Sequence, residues 1–309
     1  MKKFYLSALG VFACFLSFSQ SFTNSNTLLP NDYNSGGCLG VVDMDNDGFD
    51  DIILLDNSNE LKVLYQTENG FDEMGYGTVS GASQWGMAIG DCNNDGHADV
   101  FCGGSYDGVR IVNISEPGVY TQNELNNGSM FMQGANLMDI DADGDLDAFG
   151  CHDDATERIW VNDGGSIAIA EPIPLEDYDF SADPNTDHSG NYGSVWTDFD
   201  GDGDVDLFIA KCRQGVNNPQ DPRRVNQLWV NGGDGTWTEE AMDRGLVVFE
   251  QSWTADFVDY DNDGDFDCFL TNHSETMMLL ENDGGYFTDV TDAANLAVPG
   301  FFLQAKFAD

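Results

Sequence analysis

Residues 259–267 read DYDNDGDFD: five aspartates in nine residues, set around one glycine and one asparagine and followed at once by the apolar run CFLT. Carboxylates at that density repel one another, and such a stretch stays disordered unless something cancels the charge. A divalent cation is the simplest agent. The stretch also recurs. DMDNDGFDD begins at Asp43, DCNNDGHAD at Asp91, DIDADGDLD at Asp139 and DFDGDGDVD at Asp198, so successive copies start 48, 48, 59 and 61 residues apart.

The surroundings of each copy repeat as well. A short apolar run precedes it (CLGVV, GMAIG, ANLM, SVWT, ADFV) and another follows (IILL, VFCG, AFGC, LFIA, CFLT). A half-alternating third run comes next, as in LKVLYQ or QLWVN, then a Gly-rich turn and a fourth run such as TWTEE or YFTDV. Runs of four to six residues bounded by Gly, Asn and Asp read as strands. Four strands per period of roughly fifty residues are the signature of a β-propeller blade. The expected fold is therefore all-β, with five complete blades. The chain ends in KFAD, which matches the lead-in DFVD of the fifth copy, so Asp309 reads as the first residue of a sixth motif and the propeller as incomplete at its C-terminus. The segment SFTNSNTLL, from Ser21, reads as an outer strand that ends a blade. Copies three and four carry insertions near 166–192 and 211–225, and the Pro-containing part of the first, AEPIPLEDYDFSADPNTDHSGNY, reads as a surface loop.

Each motif follows D-x-[DN]-x-D-G-x-x-D. Oxygen-bearing side chains stand at positions one, three, five and nine, glycine at six permits a sharp turn, and the carbonyl of residue seven completes a shell. The candidate ligands are Asp43, Asp45, Asp47, Phe49 and Asp51; Asp91, Asn93, Asp95, His97 and Asp99; Asp139, Asp141, Asp143, Asp145 and Asp147; Asp198, Asp200, Asp202, Asp204 and Asp206; and Asp259, Asp261, Asp263, Asp265 and Asp267. Phe49 and His97 enter through their backbone carbonyls. An oxygen-only set of this kind selects Ca²⁺ over Zn²⁺ or Cu²⁺, and Mg²⁺ seldom accepts a full protein cage. About five ions are expected, one per loop, with the Asn93 copy the weakest site. An EF-hand shares the first six positions but closes on a Glu at position twelve, where this chain has Leu54, Cys102, Gly150, Ile209 and Leu270.

The motif, its strand–loop–strand setting and the period resemble the FG-GAP/VCBS repeat family, whose integrin α-subunit members form calcium-bearing propellers. The stretches RRVNQLWVNGGDGTWTEEAMDRGL and LLENDGGYFTDVTDAANLAV are similar to the variant in cartilage acidic protein and its secreted bacterial relatives. The resemblance implies calcium at positions one, three, five, seven and nine, and an extracellular setting. Asn93 and the irregular middle spacing depart from the pattern.

Composition narrows the function. The formal charge is −44, from 11 Lys and Arg against 55 Asp and Glu, which argues against nucleic acid or an anionic membrane as partner. Residues 1–19, with Lys2 and Lys3 ahead of an apolar stretch, read as a secretory signal peptide, leaving 20–309 as the repeat domain. No later stretch is apolar enough to span a bilayer. Six cysteines remain after the signal: Cys38, Cys92, Cys102, Cys151, Cys212 and Cys268. Either disulfides or small buried strand residues account for them. No nucleophile elbow or zinc-protease motif occurs. His152 and His273 follow second strands and share one rim. The tryptophans Trp85, Trp160, Trp229 and Trp253 sit at repeat-equivalent places and read as structural, while Trp237 stands apart as a candidate ligand contact. Lys211, Arg213, Arg223 and Arg224 cluster in the insertion of copy four and are expected to pair with nearby acids. The resulting expectation is a secreted, calcium-stabilised propeller that binds an extracellular protein or glycan without catalysis of its own. A polysaccharide lyase or hydrolase on the same scaffold is the alternative.

Overall fold

The computed structural model describes residues 24–126, 128–164, 173–174, 188–273, 276–302 and 304–307. The expected signal peptide, most of the copy-three insertion and Asp309 lie outside them. Blade one comprises β1 (Leu39–Val42), β2 (Asp51–Asp56), β3 (Glu60–Thr67) and β4 (Gly70–Thr78). Blade two comprises β5 (Gln84–Gly90), β6 (Asp99–Gly104), β7 (Val109–Glu116) and β8 (Val119–Glu124). Blade three has β9 (Met132–Met138), β10 (Asp147–His152), β11 (Arg158–Trp160) and β12 (Ile173–Pro174). Blade four has β13 (Asn191–Thr197), β14 (Asp206–Lys211), β15 (Gln227–Asn231) and β16 (Trp237–Glu239), followed by the four-residue helix α1 (Ala241–Arg244). Blade five has β17 (Ser252–Val258), β18 (Asp267–Asn272), β19 (Met278–Asn282) and β20 (Phe287–Asp289).

Each blade is one antiparallel sheet with its strands in sequence order. Every acidic motif joins the first strand to the second, and position nine is the first residue of the second strand. Second strands are buried on both faces, which is why they read as continuous apolar runs rather than alternating ones. Their alternate residues feed two different cores. Val100 and Cys102 of β6 face blade one, whereas Phe101 packs toward blade three with Trp160, ring centroids 6.0 Å apart. Successive blades thus share a core layer, and each layer is as large as the two faces that build it.

First strands of neighbouring blades run side by side around the axis. In four of them the ladder shifts register near the start, leaving Trp85, Gln133, Tyr192 and Trp253 as bulge residues. A glycine follows three of these, and the reason is close approach: a Cβ at Gly193 would lie 2.6 Å from the Trp253 carbonyl oxygen of the next blade.

Several expectations fail. Residues 26–28 form a 3-10 turn, not an outer strand, because Asn24 Oδ1 accepts the Asn26 amide and folds the segment back. Ile173 and Pro174, inside the stretch read as surface loop, pair with Ile159 and Arg158 and supply the outer edge of blade three, a place that tolerates proline, and Asn191 and Tyr192 at its end open β13. Trp237 is no free ligand contact; it is 4% exposed and packs edge-on against Trp196 between blades three and four. Trp85, read as structural, is instead 51% exposed, whereas Trp160 and Trp229 are buried as expected, and all six cysteines are free, buried thiols. Among the described residues no helix is long and apolar enough to cross a membrane.

A polar clasp locks the blades where the apolar layers end. Asn282 is fully buried; its Nδ2 donates to the Phe199 carbonyl of blade four at 2.9 Å and to Phe266 at 3.0 Å, and its Oδ1 accepts the Gly285 amide at 2.7 Å. Asn162 spans blades three and two in the same way, donating to Cys92 at 2.9 Å. Replacing Asn282 by Ala strands buried carbonyls and an amide, so unfolding free energy should fall by about 2–3 kcal/mol. Urea denaturation would show it, and an unchanged midpoint would mean that other donors take over.

Candidate metal centres and the opposite rim

The five acidic loops adopt one conformation. The position-one carboxylate accepts the amide of residue five at 3.0–3.2 Å and that of residue six at 2.8–3.1 Å. The position-five carboxylate accepts the amide of residue seven at 2.9–3.0 Å. Position nine is the anchor. One oxygen of Asp51, Asp99, Asp147, Asp206 or Asp267 accepts the amide of residue two at 2.9–3.4 Å. The other accepts an amide in or just past the third strand, from Gln66, Ile114, Asn162, Asn231 or Asn282, at 2.7–2.9 Å.

The chain must turn left-handed twice to make this loop. Glycine at six does so with φ of 88–105°, as its type predicts. Position four does so as well: Asn46, Asn94, Ala142, Gly201 and Asn262 have φ of 57–73°. Asparagine and glycine tolerate that region, whereas alanine is strained there. Asn46 has a second use, since its Nδ2 donates to the Gly96 carbonyl in the next loop at 3.0 Å, and Asn94 donates likewise to Asp145.

Within this frame, carboxylate oxygens of Asp43, Asp45 and Asp51 approach within 4.8 Å of one another, as do those of Asp139, Asp141 and Asp147, and of Asp198, Asp200 and Asp206. In the fifth loop the set is Asp259, Asp261 and Asp263, and Asp141 and Asp143 also gather Asp163 from the hairpin after β11, which sequence reasoning did not single out. Among the described residues the second loop forms no triple, because Asn93 replaces its third acid. Burial pushes the position-nine carboxyls up, Asp99 and Asp147 to about 6 and Asp206 to about 7. Asp200 Oδ1 is buried with no hydrogen-bond partner. Buried carboxylates this close, with an oxygen left unpaired, fit a cation and are costly without one. The clusters can hold metal ions. A carboxylate has about four acceptor sites, so the amide bonds leave room for an ion.

The ends of the second strands and the starts of the first strands form the opposite rim. There Phe131 stacks on Tyr106, centroids 5.8 Å apart and 19° from parallel, and meets Trp85 at 6.0 Å. Tyr106 donates its hydroxyl to Asp154, and Arg213 Nη1 donates to Asp153 at 3.1 Å and to Asp154 at 2.9 Å. Gln133 Nε2 donates to the second Asp153 oxygen at 3.1 Å. Burial raises the Asp153 carboxyl, whereas the Tyr106 hydroxyl and Arg213 lower that of Asp154. His152 is buried and lowered to about 4 by that burial, and its Nδ1 accepts the Asp154 amide at 3.1 Å. It is thus neutral, with its proton on Nε2. His273 lies near Trp253 and Phe301 on the same rim, outside the His152 cluster.

The basic cluster is divided. Arg213 and Arg223 pair with acids as expected, the latter with Asp221 at 2.8 Å. Buried Lys211 donates to Asn191 Oδ1 at 2.7 Å, whereas Arg224 turns to the carbonyls of Val216 and Phe249. Tyr106, Phe131, Asp153 and Asp154 were not singled out from sequence; the recurrence of Trp85, Gln133, Tyr192 and Trp253 six residues ahead of a loop was the available signal.

The FG-GAP-like repeat family model matches residues 43–102 and 198–270, which take in loops one, two, four and five. Among solved structures, the chain is similar to the V. cholerae biofilm matrix protein Bap1, with 14% identity and a TM-score of 0.46 over 81% of this chain and 38% of that one. It thus spans well under half of the matrix protein. It is also similar to an Agrocybe aegerita lectin that recognises non-reducing terminal N-acetylglucosamine, at 16% identity and TM-score 0.39 over 81% of this chain and 78% of that one. A third is a putative exo-β-1,3-galactanase from Bifidobacterium bifidum s17, at 10% identity and TM-score 0.42 over 81% and 89%. No curated protein matches the chain.

Strain at position four is testable. Ala142→Asn keeps a residue with ordinary chain entropy and relieves the left-handed penalty, so it should stabilise the protein by about 1 kcal/mol. Thermal or urea unfolding reads the gain, and destabilisation would show that Ala142 is packed rather than merely tolerated.

Proposed function

Since the chain is an FG-GAP-like repeat protein, we propose that it acts as a secreted, calcium-dependent binding module for an extracellular protein or glycan, without catalysis of its own. The observation that carries the calcium reading is the buried, unpartnered Asp200 Oδ1 inside a triple of carboxylates held open by the loop's own amides. At positions one, three, five and nine the loops present hard oxygens and no His or Cys, which suits Ca²⁺. Positions one, three, five and nine would hold the ion through side chains and position seven through its carbonyl. The ion supplies charge neutralisation and ties the first strand of a blade to its second. Affinities of about 10⁻⁴ to 10⁻³ M suffice for modules outside cells.

One observation favours the enzymatic alternative. Asp153 and Asp154 share Arg213, and their pKa values are driven in opposite directions. Such a split suits an acid and a conjugate base in glycoside cleavage. Against it, both carboxylates are committed to Arg213, a geometry that serves recognition at least as well.

Equilibrium dialysis of the mature protein at millimolar Ca²⁺ should give about five bound ions, the Asn93 loop filling last, and fewer than three would sink the reading. A chelator should lower the melting temperature, as mass action requires for a ligand of the folded state. Asp261→Ala should reduce the calcium-dependent part of that shift. Release of reducing sugar from neutral or acidic polysaccharides by the purified protein would instead favour the hydrolase.

A further inference from the structure

We propose that Trp85, Phe131 and Tyr106, bordered by Asp154 and Arg213, form a binding site for a neutral pyranoside at the rim opposite the acidic loops. The proposal rests on the reading above that the protein is a binding module, and it names the site and the ligand class. Three independent features meet here. The first is the bulge. It removes Trp85 from the β5–β6 ladder and turns its indole outward, a device that re-aims side chains beside functional sites. The second is exposure. Trp85 and Tyr106 are each 51% exposed although Phe131 links them into one aromatic surface. The third is strain. Tyr106 holds φ at +60°, an outlying conformation for a bulky residue, and it is pinned there by its own amide, which donates to Gly104 at 3.0 Å and to Met130 at 2.9 Å. Backbone strain of this kind persists where neighbours over-determine it, and it clusters at ligand sites.

Chemistry selects the ligand. The open platform is the exposed indole of Trp85, because Phe131 and Tyr106 stack on each other and Phe131 meets the indole only at a tilt of 58°. A platform accepts the flat C–H face of a pyranose, whereas a quaternary ammonium needs rings that enclose it. The Arg213 guanidinium at the border also opposes a cation. An anion fares no better, because Arg213 is already engaged by both Asp153 and Asp154 in a molecule of formal charge −44. What remains is a neutral ligand rich in hydroxyls, which can donate to Asp154 and accept from Arg213 while its ring stacks on Trp85. The border is already ordered by the Tyr106 hydroxyl, so little freedom is lost on binding.

The test uses the calcium-loaded mature protein, titrated by calorimetry and tryptophan fluorescence. The probes are methyl glycosides and short oligosaccharides of neutral hexoses and N-acetylhexosamines, with choline and glucuronate as counter-probes. A neutral glycoside should saturate the wild type. Trp85→Ala should weaken it by about ten-fold or more, as expected for loss of a stacked aromatic, with the melting temperature in Ca²⁺ unchanged. Tyr106→Phe, which keeps the ring and frees Asp154, should weaken it less. Saturation by choline or glucuronate alone, no saturation by any neutral probe, or equal affinity in Trp85→Ala would each overturn the proposal. Calcium-dependent stability retained without sugar binding rejects this site only, whereas sugar binding indifferent to calcium rejects the calcium reading only.

Discussion

Everything in this molecule hangs on a buried carboxylate used from two sides. At position nine, one oxygen holds the acidic loop and the other holds the third strand, so a single aspartate fixes where the first three strands of a blade stand. The group sits at the start of a second strand buried on both faces, where an ionised carboxylate is expensive. Two amides offset part of that cost. They do not offset all of it, since burial still raises these groups, and neighbouring position-three and position-five acids add repulsion. A loop of this composition is therefore a spring compressed by its own charge, and the blade geometry is what a cation would hold closed.

How much of this was legible in the sequence depends on whether backbone or side-chain partners decide it. The apolar runs around DYDNDGDFD, repeated five times, were enough to place the first three strands of every blade, because burial on both faces leaves an unmistakable run such as LFIA. Glycine at position six was equally plain. Position four was not, because Asn, Ala and Gly share no obvious property until their common φ is seen. Asn282 and Asn162 end third strands in runs that look like ordinary polar turns; their reach to another blade is a matter of three-dimensional neighbours. Trp237 misled because its repeat-equivalent Phe287 is smaller, so an unmatched tryptophan suggested a ligand when it fills the layer beside Trp196. Ile173–Pro174 misled for a different reason, since two residues of edge strand carry no periodicity at all.

The two ends of the blades divide labour by charge. The acidic loops gather the carboxylates at one end. The other end carries paired acids bridged by Arg213, with neutral His152 beside the Tyr106 ring. The apolar layers between blades, such as the one joining Phe149 to Trp196, hold the two ends at fixed separation. Interiors packed this way are stiff, so a change in the loops is transmitted along the first strands rather than absorbed.

The register shift near the start of four first strands has a consequence for how such a rim can diversify. A residue extruded from the ladder shares no backbone pairing with its neighbour and contributes little to the sheet that carries it. Trp, Gln, Tyr and Trp occupy that one place in four adjacent blades of the same molecule. One backbone geometry thus carries different side chains at the same place in successive blades, in the manner of antigen-binding loops on a fixed sandwich. New recognition can arise there by substitution at a handful of codons, while the strands, the glycines behind them and the acidic loops stay as they are.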